Sequence, residues 1–322
     1  MTVSNLLNER MGTMRAETRQ RIEAEIERLG YRPHSMARSL RLAKQLSIGM
    51  IIIDEQPHYL ADPFTTHVVA GLSNRLNSNG YGLLLQGLSA AAFQSSPLIR
   101  SIRTDAICLL LSGPDKTRRR IVEAFLALGQ PVLVFQETLR FPKNDLCVIC
   151  QADRDGGKLI GGQVLKLGAR RLVMLIPGVY WPAIAERIKG VRDALRESGR
   201  DAVLRTVKCG DAELVGTQAA LEREIADHGL PDAIIAGNDQ MGIAAMKLLA
   251  QRGLKIPRDV AITGFNAFEF WQYTDPVLTT VRSPAYEMGH RGADEIIKRL
   301  TDSRFDRQEI IFPVELQVGE ST

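Results

Sequence analysis

The sequence has no apolar run near the roughly 18 residues that a membrane-spanning helix needs, and its polar N-terminus contains no apolar signal segment. A cytoplasmic location is therefore expected. Cysteine is scarce, with four in 322 residues. Cys147 and Cys150 form a CxxC, but no second pair and no neighbouring histidine accompanies it, so it reads as small buried hydrophobes rather than a zinc or redox site. The histidines, His34, His58, His67, His228 and His290, are scattered and sit beside no nucleophile. Gly156-Gly157-Lys158-Leu159 lacks the upstream glycine and the Ser/Thr of a phosphate-binding loop, no GxGxxG follows the first predicted strand, and no Gly-x-Ser-x-Gly elbow occurs. An enzyme is not expected, and the residues call for neither a cofactor nor a metal.

What the sequence does have is unevenly placed charge. Lys and Arg total 41 against 37 Asp and Glu, a formal excess of +4. Residues 1–44 hold nine basic side chains and five Glu, leaving 32 of each sign in the rest. The whole excess thus sits in one small module, where it would concentrate attraction for a phosphate backbone. A solvated charged helix explains the charge alone equally well. The stretch Leu29-Gly30-Tyr31-Arg32-Pro33-His34-Ser35-Met36-Ala37-Arg38-Ser39-Leu40 adds organisation: a charged helix ends, turns at Gly30 and breaks at Pro33, and a short basic helix runs to Leu40. Hydrophobic strands follow.

A length of 322 residues fits about two domains plus a small module. From Leu46 onward, short apolar runs (46–53, 83–85, 106–111, 131–135) alternate with helical patterns (63–79, 116–128). The pattern restarts near 146–150, with helices over 154–167, 182–198, 212–228 and 240–252 between runs at 172–176, 203–207, 233–236 and 260–265. Such alternation predicts an α/β protein with two doubly wound parallel-sheet lobes, whose strand ends face a shared ligand cleft.

Over nearly its whole length the sequence resembles the lactose-repressor/galactose-repressor (LacI/GalR) family of bacterial transcription regulators. The matching motifs are Thr2-Val-Ser, Glu17-Thr-Arg, Leu29-Gly-Tyr-Arg-Pro, Ala37-Arg-Ser-Leu, Ser47-Ile-Gly, Asp155-Gly, Arg187-Ile-Lys-Gly, Gly237-Asn-Asp-Gln-Met, Ile262-Thr-Gly-Phe-Asn and Pro276-Val-Leu-Thr-Thr-Val. Each is weak alone, and their common order carries the signal. The resemblance implies a helix-turn-helix head and hinge helix (1–44), an N-terminal effector-binding lobe (46–149 plus 281–304) and a C-terminal one (150–278 plus 307–322), with a periplasmic-binding-protein-like core. The family's first helix has no counterpart before Thr2, which is read as a truncated head, through either a start codon assigned too far downstream or a real loss.

The resemblance also implies residue roles. Thr2 and Asn5 would face bases in the major groove, Asn5 being suited to a bidentate contact with adenine, and Asn8 would contact phosphate. Ala37 would let paired hinge helices approach, Leu40 would wedge into a minor-groove step, and Arg38 and Arg41 would meet phosphates. In the cleft, Arg187 matches a sugar-binding arginine, and Asn238 and Asp239 follow a strand end. Asp155 heads a helix, either as a contact or as a cap, while Phe64 and Trp181 are aromatics able to stack on a sugar face. Asn266 stands where the family usually has Asp, and Ser283 where Gln is common, so those two contacts are expected to differ.

Together these readings predict a repressor controlled allosterically by a sugar or sugar derivative, with operator DNA and a second copy of the chain as partners. The alternative is a sugar-sensing core that has lost DNA binding with its first helix. The chain ends in Pro313-Val-Glu-Leu-Gln-Val-Gly-Glu-Ser-Thr, which alternates like a strand and cannot supply the leucine heptads of a tetramer, so a homodimer and nothing larger is expected.

Overall fold

The computed structural model describes Leu6 and residues 15–31, 44–100, 103–142, 145–210 and 214–322. It divides into two units, Met1–Gln45 and Leu46–Thr322. In the first, helix α1 (Ala16–Leu29) closes at Gly30, as the sequence predicts. Gly30 takes the left-handed conformation at φ 56°, and the Gly30 and Tyr31 amides return to Glu27 O and Ile26 O, a closure that a Cβ would strain. Ion pairs Arg19–Glu23 and Arg28–Glu25, both at 2.7 Å, line its exposed surface; such exposed pairs contribute only about 0.3–0.5 kcal/mol each. The positions expected to meet DNA, Thr2, Asn5, Asn8, Ala37, Arg38, Leu40 and Arg41, lie outside the described residues.

The second unit rests on parallel strands covered on both faces. β1 (Ser47–Ile53), β2 (Gly82–Leu88), β3 (Ala106–Leu111), β4 (Val132–Phe135), β5 (Leu146–Gln151) and β11 (Glu309–Phe312) form one sheet in the order β11-β5-β4-β3-β1-β2. A second sheet contains β6 (Arg171–Ile176), β7 (Val203–Lys208), β8 (Ala233–Ala236) and β9 (Ala261–Thr263), in the order β7-β6-β8-β9. All pairings in both sheets are parallel. Two short antiparallel strands, β10 (Thr280–Arg282) and β12 (Glu315–Gln317), pair beside them.

Strand β1 shows why the strands read as continuous apolar runs. Ile48, Met50 and Ile52 enter one core with Leu72 and Ile296, while Ile51 and Ile53 enter the opposite core with Ile121 and Phe125. Successive side chains alternate between faces, and both faces are dry. Helices α2 (Pro63–Ser78) and α9 (Ala285–Asp302) cover the first face; α3 (Pro97–Arg100) and α4 (Asp115–Leu126) cover the second. On the four-stranded sheet, α5 (Asp153–Lys166) and α6 (Pro182–Ser198) cover one face, and α7 (Leu214–His228) and α8 (Asp239–Gln251) the other.

Strand pairing corrects the lobe boundaries expected from sequence. Leu146–Gln151 is the fifth strand of the first sheet, although the apolar pattern restarts at 146–150, and the second series begins with α5. Residues 309–312, assigned with 307–322 to the C-terminal lobe, pair with β5 in the first sheet, where Ile310 and Phe312 pack on its core. Apolar periodicity identifies a strand but not the sheet it joins. The chain consequently passes between the sheets three times, after β5, after β10 and after β11.

The cysteines behave as small apolar groups. Cys108, Cys147 and Cys209 are buried, and burial pushes the Cys147 thiol up to about 12 and Cys209 up to about 11, away from reactive thiolate.

Candidate functional site

Both sheets point their C-terminal strand ends at one cavity of about 630 Å³, a size suited to a small organic ligand. Asp54 follows β1, Gln136 follows β4, Gly237 follows β8 and Asn266 lies just beyond β9. The N-terminal ends of α2, α6 and α8 complete the wall with Phe64, Trp181 (just before α6), Arg187 and Asp239. Of the expected effector contacts, the cavity gathers Phe64, Trp181, Arg187, Asn238, Asp239 and Asn266.

Asp155 is not among them. It lies exposed beside a separate groove, whereas Asp153 turns inward. Residues two apart on a helix point to nearly opposite faces, so only one of the pair can enter the cleft side. Nor is Asp155 a cap, since Ala152 occupies that position.

Arg187 is buried, with 5% of its surface exposed. Its Nε donates to Asp153 Oδ1 at 2.8 Å, its Nη1 donates to Gly237 O at 2.6 Å, and the guanidinium lies 3.5 Å from the centre of the Phe265 ring. Nη2 has no hydrogen-bond partner among the described residues. Asp153 also accepts from Gln136 Nε2 and Gln151 Nε2, both at 2.9 Å, and Gln151 in turn accepts from Ser283 Oγ at 2.5 Å. Burial pushes the Asp153 carboxyl up, and Arg187, Gln151 and Gln136 pull it back. This network joins a strand end of the first sheet to two of the crossing segments. Ser283, expected to depart from the family's contact, lies behind Gln151 rather than on the cavity wall.

Helix packing fixes Arg187 in this position. α5 and α6 meet through Gly157 and Gly190, where an added Cβ would collide with the carbonyl oxygens of Arg187 and Arg154 respectively. The glycine three residues after Arg187 is therefore a close-approach residue that sets how far α6 leans over the cleft.

Across the cavity, Asn238 caps α8, its Oδ1 accepting from the Met241 amide at 2.9 Å. Asp239 Oδ1 accepts from Thr280 Oγ1 at 2.6 Å, and burial pushes this carboxyl up to about 7 despite that bond and the nearby Ala267 and Phe268 amides. Asn266 is 6% exposed and holds φ 115°, a conformation side-chain-bearing residues rarely adopt. Its Oδ1 has no hydrogen-bond partner among the described residues. Gln136 also has positive φ, 56°. Backbone strain thus accumulates at the cavity, where the strand ends must turn sharply. Trp181 and Phe268 reach from the second half of the chain to pack on the core of the first sheet, and the Gly113 amide donates to Tyr180 O at 2.8 Å across the mouth.

Sequence reasoning missed Asp54, Asp62, Gln136 and Asp153. Asp54 was legible as the residue ending β1. Nothing in the sequence singled out Gln136 or told Asp153 from Asp155. Among the described residues, no three His, Cys, Asp or Glu are grouped to hold a metal ion.

Comparison with known proteins agrees with this architecture. Residues 162–322 match the model of the periplasmic binding protein-like domain family. The chain is 26% identical over 325 residues to the ribose operon repressor of Escherichia coli (strain K12), covering 99% of this chain and 95% of that one. Among solved structures, it aligns with a transcriptional regulator CelR–cellobiose complex at TM-score 0.75 and 23% identity, covering 99% of this chain and 94% of that one. It aligns with a Lac repressor dimer bound to operator and the anti-inducer ONPF at TM-score 0.85 and 20% identity, covering 100% and 94%.

Proposed function

Because the chain belongs to the periplasmic-binding-protein-like domain family, we propose that it is a sequence-specific transcription repressor whose hold on operator DNA is set by a small sugar-like effector in the cleft. The relatives it matches are LacI/GalR-type regulators rather than enzymes, so the resemblance read from the motifs is borne out. The observation that carries the reading is the extent of the match to the ribose operon repressor: it takes in 99% of the chain, the basic N-terminal unit as well as the cleft.

In this reading the effector enters through Phe64, Trp181, Arg187, Asn238, Asp239 and Asn266, while Thr2, Asn5, Asn8, Ala37, Arg38, Leu40 and Arg41 meet operator DNA. Effector binding shifts the population between two arrangements of the sheets, and the segment joining them to the basic unit transmits the change. The protein works as a homodimer on a two-fold site in the cytoplasm. No helix among the described residues is long and apolar enough to cross a membrane. Selecting genomic DNA fragments with the purified protein tests the reading. Enrichment of a palindromic sequence is expected, whereas recovery of random DNA alone contradicts it.

A further inference from the structure

We propose that the effector of this cleft carries no phosphate or carboxylate, and that it presents a hydroxyl or ammonium donor to Asp54. The inference rests on the reading of the cleft as the effector site and concerns the chemistry that site accepts. Charge balance is the first observation. The acidic and basic side chains among the described lining residues are Asp54, Asp62, Asp239 and Arg187, with His58 as the sole histidine and no lysine. Arg187 is already paired with buried Asp153, so it offers an incoming anion no uncompensated charge. Asp54 has no cationic partner among the described residues. Its Oδ1 accepts from the Gln56 amide at 3.0 Å, and burial together with neighbouring Asp62 and Glu55 raises its carboxyl above the ordinary range. An anion brought here would be desolvated beside like charge with nothing to pair it.

Helix N-termini are the obvious counterweight, because their free amides attract anions. Here two of the four that reach the cavity are spent. Asp62 caps α2, accepting from the Phe64 and Thr65 amides, and Asn238 caps α8. Two further helices reach the wall at their N-terminal ends: α6 begins with Pro182, which has no amide hydrogen to give, and α7 presents its first residue, Leu214.

A second observation points independently to a ligand with donors. Asn266 Oδ1 is buried and unpartnered on the wall, an acceptor whose cost is offset when a ligand donor reaches it. Tyr59, Phe64, Trp181 and Phe268 supply faces for the apolar side of a sugar ring or for an attached ammonium. The class that fits is a neutral or amine-bearing polyol.

Trp181 allows a direct test. The sequence contains two tryptophans, Trp181 and Trp271, so Trp271→Phe leaves the cleft residue as the sole tryptophan, excited selectively beyond the tyrosine band. Full-length protein is quenched with caesium and with iodide, and the slope ratio is compared with that of free tryptophanamide. Caesium should be favoured at least about twofold, and Asp54→Asn should move the ratio toward that of the free compound. A ratio favouring iodide overturns the proposal. In parallel, thermal shifts are measured with glucose, glucosamine and glucose 6-phosphate, and with ribose and ribose 5-phosphate. A phosphorylated member that stabilises more than its parent also overturns it; if no member binds, the quenching ratio decides. An acidic cleft in a protein that selects no DNA sequence would refute the regulator reading while leaving this one intact.

Discussion

Arg187 and Asp153 form a 2.8 Å ion pair with 6% and 5% of their side chains exposed, and the pair sits where the chain first crosses between the sheets. The arginine expected from sequence to be a cleft residue alone is therefore also structural. Arg187→Ala should leave a buried carboxylate unpaired and cost roughly 3–5 kcal/mol of stability. Adding Asp153→Asn should recover part of that loss without restoring effector affinity. Urea unfolding of the single and double variants checks this. An Arg187→Ala protein as stable as wild type would show that Asp153 finds another partner.

Asp239 predicts a pH dependence. Its folded-state value of about 7 lies above the ordinary 3.8, so the folded protein holds this proton more tightly than the unfolded chain. Its contribution to stability is greatest below about pH 4 and is lost as pH rises toward 7, at up to about 1.4 kcal/mol per pH unit. The difference between wild type and Asp239→Asn, followed by denaturation across that window, should carry this slope. Parallel curves would contradict it.

Gly190 and Gly162 lie on neighbouring helices with opposite expectations. Gly190→Ala drives a methyl into the Arg154 carbonyl and should destabilise by about 1–3 kcal/mol or more, weakening effector binding as α6 shifts. Gly162 has nothing near its missing Cβ, so Gly162→Ala should stabilise by about 0.5–1 kcal/mol. Thermal melts of the two variants should move in opposite directions.

Much of this was legible in the sequence. The parallel sheets announced themselves because strands buried on both faces must be apolar throughout, as β1 is. Arg187, Asn238 and Asn266 were found from motifs and strand ends. What was hidden depends on contacts distant in sequence. Ile310 and Phe312 look the same whichever sheet they join. Asp153 differs from Asp155 only in the helix face it occupies, and Gln136 reaches the network through a left-handed turn that its identity does not signal.

On the DNA side, Leu40→Ala should weaken binding to the selected operator while leaving random-DNA binding nearly unchanged, because a wedge between bases touches no phosphate. Arg38→Ala should instead lower the salt slope by about 1. Titrations at several salt concentrations separate the two. Equal loss on both DNAs for Leu40→Ala would remove the wedge.

Calorimetric titration of the effector into the protein, with and without saturating operator, tests the central claim most directly. Coupling between cleft and DNA requires the two affinities to differ, by roughly 5- to 150-fold, with effector changing operator affinity by the same factor. Identical effector affinities in the free and DNA-bound protein would contradict an effector-controlled repressor.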